Sequence, residues 1–138
     1  MKILPNEIKT EKKEVVVTDV LVVDDSETMR TSVERILNEG GITSTGAETG
    51  LAAIDCFEKN SEFKLIVTDY NMPEMDGITA IEKIRKLPGG AEVIVFMLTT
   101  ESSPELKSLG KAVGVKAWIT KPFNEGKFLA AVRKMIGA

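Results

Sequence analysis

From residue 20 onward the chain alternates between two kinds of apolar pattern. Short runs occupy Val20–Val23 and positions 42–45, 65–67, 93–98 and 117–119. Most of these residues are β-branched, the runs are too short for helices, and several lack alternation, which suits strands covered on both faces of a parallel sheet. Between the runs, apolar residues recur at helical spacing. Met29, Val33, Ile36 and Leu37 form one stripe, closed by Gly40 and Gly41 as a stop signal. Leu51, Ile54 and Phe57 form a second, and Ile78, Ile81 and Ile84 a third. A fourth carries Leu106, Leu109 and Val113, with Ser102 or Ser103 as cap and Pro104 preset for the first turn. Phe128, Leu129, Val132, Met135 and Ile136 form the fifth, with Asn124 placed to cap it. Five β-then-α units in a row predict a doubly wound parallel sheet with right-handed crossovers and helices on both faces.

Positions 1–15 break this rhythm. They mix charges of both signs and read as a tail, either a docking arm, an added strand or disorder, ahead of one domain over residues 16–138. At 138 residues the chain has the length of a single domain, roughly 100–200 residues. No stretch approaches the ~20 apolar residues of a membrane span, and the N-terminus lacks the apolar core of a signal peptide, so a cytoplasmic location is expected.

Composition narrows the chemistry. Lys and Arg number 18 against 21 Asp and Glu, a net charge of -3, which argues against sequence-independent nucleic-acid binding. There is no histidine, so imidazole bases, His-ligated metals and phosphohistidine are excluded on this chain. A single cysteine, Cys56, excludes an internal disulfide and is expected to be a small packed residue. Met72, Met75 and Met97 read as packing and loop residues. Carboxylates, hydroxyls and lysines remain.

In a doubly wound sheet the functional crevice lies beyond the carboxyl ends of the strands. Those ends carry Asp24 and Asp25 after the first run, Asp69 and Asn71 after the third, Thr99, Thr100 and Glu101 after the fourth, and Lys121-Pro122 after the fifth. The second ends in Gly46-Ala47. Three carboxylates crowded together resist ionising unless a cation joins them. An all-oxygen set suits Mg²⁺, and a half-hydrated Mg²⁺ beside a lysine is a place for a phosphoryl group. Duller readings exist for single residues: Asp25 or Ser26 as a helix cap, and Asp69 as a turn former before Asn71-Met-Pro73, although Asp76-Gly77 already provides turn chemistry a few residues on.

The motifs Val-Val-Asp24-Asp25-Ser, Val-Thr-Asp69-Tyr-Asn-Met-Pro-Glu-Met-Asp-Gly77, Met-Leu-Thr99-Thr-Glu and Thr-Lys121-Pro122-Phe123, in that order, resemble the receiver domain of bacterial two-component response regulators, in its stand-alone, chemotaxis CheY-like form. The resemblance covers residues 16–138. It implies a (βα)5 flavodoxin-like fold with strand order 2-1-3-4-5. Asp69 would be the phosphoacceptor. Asp25, Asp69 and the backbone carbonyl of Asn71 would bind Mg²⁺, with Asp24 acting through a water or sharing the ligation. Lys121, preceding Pro122 in a cis bond, would pair with a phosphoryl oxygen. Thr99 would swing onto the phosphoryl group: strand alternation lets only one of Thr99 and Thr100 face the site, and the family spacing to Glu101 and the preceding apolar run favour Thr99. Trp118 stands where the family more often has a tyrosine or phenylalanine that changes exposure on activation, and Asn71 and Glu101 where it tunes the lifetime of the acyl phosphate.

The implied role is that of a phosphoacceptor signalling protein, not an enzyme, although it promotes its own phosphorylation and dephosphorylation. The donor would be a sensor histidine kinase or histidine phosphotransfer protein. The target would be a protein bound on helix 4, strand 5 and helix 5, covering residues 104–113, 116–120 and the last helix, with no direct nucleic-acid contact. Three competing functions are weaker. A pseudo-receiver would not need the full polar set. A Mg²⁺-dependent phosphatase of the haloacid-dehalogenase kind would carry aspartate, not Asn71, two positions after its nucleophile. A flavin-binding domain would not place two aspartates at its phosphate loop.

Overall fold

A computed structural model describes residues 18–137. The proposed tail at 1–15 lies outside the described residues. The order is β1 (Val20–Val23), α1 (Glu27–Glu39), β2 (Ser44–Ala47), α2 (Gly50–Lys59), β3 (Leu65–Thr68), α3 (Gly77–Ile84), β4 (Ile94–Thr99), α4 (Pro104–Ala112), β5 (Val115–Thr120) and α5 (Glu125–Ile136). All strands are parallel, in the order β2-β1-β3-β4-β5, as expected.

Period-two alternation divides the core. Val20, Val22, Leu65, Val67, Phe96 and Leu98 face α1 and α5, where they meet Val33, Ile36, Leu37, Phe128 and Val132. Leu21, Val23, Ile66 and Val95 face the other way, onto Phe57, Ile81 and Ile84. Each such side chain, fully buried, contributes roughly 1.5–3 kcal/mol. The central strands therefore need apolar residues on both faces, which is why they read as continuous runs.

The edge strands obey a different rule. β2 begins two residues later than the apolar run at 42–45 suggests. Ile42 is buried, but against α1: its N–H returns to the Leu37 carbonyl after a left-handed Gly41, so it closes the helix instead of opening the strand. β5 extends beyond the expected 117–119 and is only half-buried. Leu51 and Leu109, read as core members of α2 and α4, are exposed; α4 buries only Gly110. Caps follow their chemistry. Ser26, Thr49, Asp76, Ser103 and Asn124 each accept an N–H of the following helix, and Ser103 is the choice between the two serines before Pro104. Met97 is buried and Met72 packs against the core, as read from the sequence.

At the pole where the strands begin, Arg85 follows α3. Its guanidinium donates to the carbonyls of Gly90 (2.9 Å), Val93 (2.6 Å), Val113 (3.0 Å) and Gly114 (3.1 Å), tying the α3–β4 loop to the α4–β5 turn. Burial lowers its pKa from the ordinary arginine value. An open groove of about 810 Å³ lies beside it.

Candidate functional site

The polar residues collect at the opposite pole, where strand order reverses between β1 and β3. The β1–α1 corner is built by Asp24. Its N–H donates to the Ala47 carbonyl (3.1 Å), continuing the ladder with β2. Its Oδ1 accepts the N–H of Ser26 (2.9 Å), and Ser26 caps α1 through Met29. Capping duty thus falls to Ser26, and Asp25 is left exposed at the cleft with no such bond.

Asp69 enters from β3. Its N–H donates to the Val23 carbonyl (2.9 Å), and its Oδ1 accepts the N–H groups of Tyr70 (2.6 Å) and Asn71 (3.3 Å). The carbonyl of Asp69 accepts from Thr68 Oγ1 and presses on Gly77, where an added Cβ would lie 2.1 Å from it. Asp76-Gly77 is therefore no turn. Asp76 caps α3, and Gly77 is its first residue because nothing larger fits against Asp69. Burial and then the charges of Asp76 and Glu101 push the neighbouring Tyr70 phenol up.

Carboxylate oxygens of Asp24, Asp25 and Asp69 all lie within 4.8 Å of one another. Lys121 reaches this cluster from the end of β5, with Nζ 3.0 Å from Asp24 Oδ2 and 3.1 Å from Asp69 Oδ2. The three side chains are nearly enclosed, at 11%, 6% and 12% exposure for Lys121, Asp24 and Asp69. Burial alone would push the lysine pKa down. The hydrogen bond and charge of Asp24 and the charge of Asp69 outweigh it, so the ammonium form is held more firmly than usual. Its peptide bond to Pro122 is cis. The donor set is hard oxygen with one face open through Asp25, which fits Mg²⁺ and not a soft or nitrogen-seeking metal.

Thr99 ends β4 fully buried, with Oγ1 accepting the Glu101 N–H (3.3 Å), while Thr100 is exposed. The Lys121 N–H donates to the Thr99 carbonyl (2.9 Å), coupling the two strand ends. Asn71 is exposed and its Nδ2 donates to Glu101 Oε2 (2.6 Å) across the mouth. Trp118 does not join the acids. Its ring lies over Gly110 of α4, and its Nε1 donates to the Glu101 carbonyl (2.7 Å). Glu101 thus links Asn71 at the cleft with the indole behind it. Two contributors escaped the sequence reading: Gly77, hidden as turn chemistry, and Arg30, whose Nη1 donates to the Asp24 carbonyl (2.8 Å).

A parallel (βα)5 sheet with three clustered carboxylates and a lysine at its switch point defines a receiver, and the comparisons agree. Residues 20–133 match the family described as response regulator receiver domain, and the chain belongs to it. It is 36% identical over 106 residues to the chemotaxis protein CheY1 of Helicobacter pylori, spanning 76% of this chain and 86% of that one. Chemotaxis response regulator CheY4 of Vibrio cholerae has the same fold, with TM-score 0.81, 36% identity, and coverage of 87% and 99%. The receiver domain of Pseudomonas aeruginosa sensor kinase PA1611, solved with a magnesium ion coordinated in its active-site cleft, superposes with TM-score 0.79 over 89% and 100%. At 24% identity that likeness carries the fold alone. The match is thus to a signalling receiver of the CheY-like chemotaxis kind. No helix among the described residues is long and apolar enough to cross a membrane.

Proposed function

We propose that residues 16–138 form a receiver that takes a phosphoryl group on Asp69 from a histidine kinase or histidine phosphotransfer protein and signals, in chemotaxis or a related phosphorelay, through phosphorylation-dependent binding of a protein partner. The observation that carries this reading is the Lys121 ammonium shared between Asp24 and Asp69 beside three converging carboxylates. A carboxylate oxygen of Asp69 attacks phosphorus in line. The new O–P bond forms as the P–N bond of the donor breaks, and the electron pair returns to the donor imidazole, which takes up a proton. Lys121 already bonds Asp69 Oδ2, so its ammonium is in place to follow charge onto the phosphoryl oxygens. Asp25, Asp69 and the Asn71 carbonyl would hold Mg²⁺, with Asp24 sharing the ligation directly or through water. When bound, the ion offsets the carboxylate charge and screens the approach of an anionic donor.

The acyl phosphate adds roughly -2 charge at Asp69. Thr99 would leave the Glu101 N–H for the new oxygens, releasing one of the contacts that hold the Glu101 segment. Trp118 would feel this through the Glu101 carbonyl. The readout is a population shift of the β4–α4 segment, presented on the α4–β5–α5 face where Leu109 stands 55% exposed. The converging carboxylates of Asp24, Asp25 and Asp69 support Mg²⁺ at this site, since a hard cation takes an all-oxygen set.

Intact-mass measurement after incubation with acetyl phosphate and Mg²⁺ tests the reading. One acid-labile phosphoryl group is expected on the wild type, with none on Asp69→Asn and none with EDTA. An adduct that persists in Asp69→Asn overturns the acceptor, and an unmodified wild type under several donors favours a phosphorylation-independent docking domain.

A further inference from the structure

Arg30, the fourth residue of α1, closes its first turn and is half-buried. Glu34, one turn on, is the usual partner for such a residue, yet the Arg30 guanidinium turns back six residues to the Asp24 carbonyl, at 2.8 Å. Its stem shares with the Glu34 carboxylate the space that Gly46 of β2 leaves open: an added Cβ would clash with Glu34 Oε2 and stand 3.1 Å from Arg30 Cδ and 3.3 Å from Nε. The Asp24 backbone is therefore held on both sides, its N–H by Ala47 and its C=O by Arg30.

That carbonyl belongs to the peptide unit whose other end is the Asp25 nitrogen. A peptide unit is planar, so fixing the direction of the C=O fixes the plane from which the Asp25 side chain departs. The need for this is specific to Asp25. Asp24 has the Ser26 N–H and Lys121, and Asp69 has Tyr70, Asn71 and Lys121, to orient their carboxylates. Asp25 is exposed, and among the described residues its carboxylate has no hydrogen-bond donor and no ion-pair partner. Backbone alone aims it.

We propose that Arg30 is a positioning residue for the metal site: through the Asp24 carbonyl it aims the Asp25 carboxylate into the cluster. This rests on the Mg²⁺ reading above. Its sign separates it from simple electrostatics. Removing a positive charge beside a cation site strengthens cation binding by Coulomb's law, whereas loss of a group that orients a ligand weakens it.

The test is calorimetric titration of Mg²⁺ into wild type, Arg30→Met, Arg30→Lys and Arg35→Met, with urea midpoints measured in EDTA. Arg30→Met keeps the stem and loses the donor; affinity should fall by about 10-fold or more, in the range seen when outer-sphere partners of metal ligands are removed. Arg30→Lys should recover part of the loss. Arg35→Met removes the same charge from an exposed site on α1, where the arginine pairs with Glu39 and Glu125, and should not weaken binding. Arg30→Met binding as tightly as wild type, or more tightly, overturns the inference. So does a loss of affinity that tracks a fall in the urea midpoint, which would assign Arg30 to the fold and not to the site. A wild type that binds no Mg²⁺ overturns the metal reading and this inference with it, and is told apart because every variant is then silent.

Discussion

Lys121 is the residue on which the site balances. Two carboxylates share one ammonium, so its pKa is raised against the pull of burial. A raised lysine contributes stability that is complete below its unfolded value, near 10.5, and that is lost as pH rises through the higher folded value. In metal-free buffer, the stability advantage of wild type over Lys121→Met should stay level from neutral pH up to the ordinary lysine range and shrink beyond it. Urea denaturation at a series of pH values measures this; an advantage already shrinking near neutrality would mean that the ion pair does not hold the proton. The residues of this balance were legible in the sequence because each stands at the carboxyl end of a strand, the rim where a doubly wound sheet places its site. Arg30 was not. An arginine on an amphipathic helix, one of two on α1, has the signature of a solvated face, and only the notch at Gly46 shows where its stem goes.

Elements differ in how much of their pattern burial dictates. β1, β3 and most of β4 are covered on both sides, and their apolar runs mark them plainly. β2 and β5 are edges; polar residues are tolerated there, and an apolar residue such as Ile42 can serve the neighbouring helix instead. α4 is the least anchored helix, with Gly110 its single buried residue, and Gly110 is where the Trp118 ring approaches. An added Cβ there would meet the indole at 2.9 Å. Gly110→Ala should therefore forfeit the ~1 kcal/mol that alanine brings to a helix interior. The displaced indole should leave the Glu101 carbonyl and emit further to the red. Fluorescence and thermal melts check both, and a stabilised variant with unchanged emission would show that the ring has room to spare.

Across the whole molecule the two poles are built on opposite terms. One gathers like charges that need an ion or a lysine to stay together. The other spends a guanidinium on four carbonyls, with hydrogen bonds to a charged donor worth more than neutral ones. Arg85→Met should cost about 2–3 kcal/mol, because the carbonyls lose a charged donor and two loops lose their tie. Hydrogen exchange should then quicken in the α3–β4 loop and α4–β5 turn, while the mass shift with acetyl phosphate persists. Loss of phosphorylation in a folded Arg85→Met would show that the poles are not separable.

The clamp has a mechanical consequence for α4. Its far end is gripped through Val113 and Gly114, while its near end follows the Glu101 segment, held by the single hydrogen bonds from Asn71 and Trp118 and by the Thr99 hydroxyl. A helix fixed at one end and tethered lightly at the other would answer phosphorylation by tilting and not by sliding. Arg85 is then a fulcrum, and a small displacement at Glu101 reaches the protein surface as an angle.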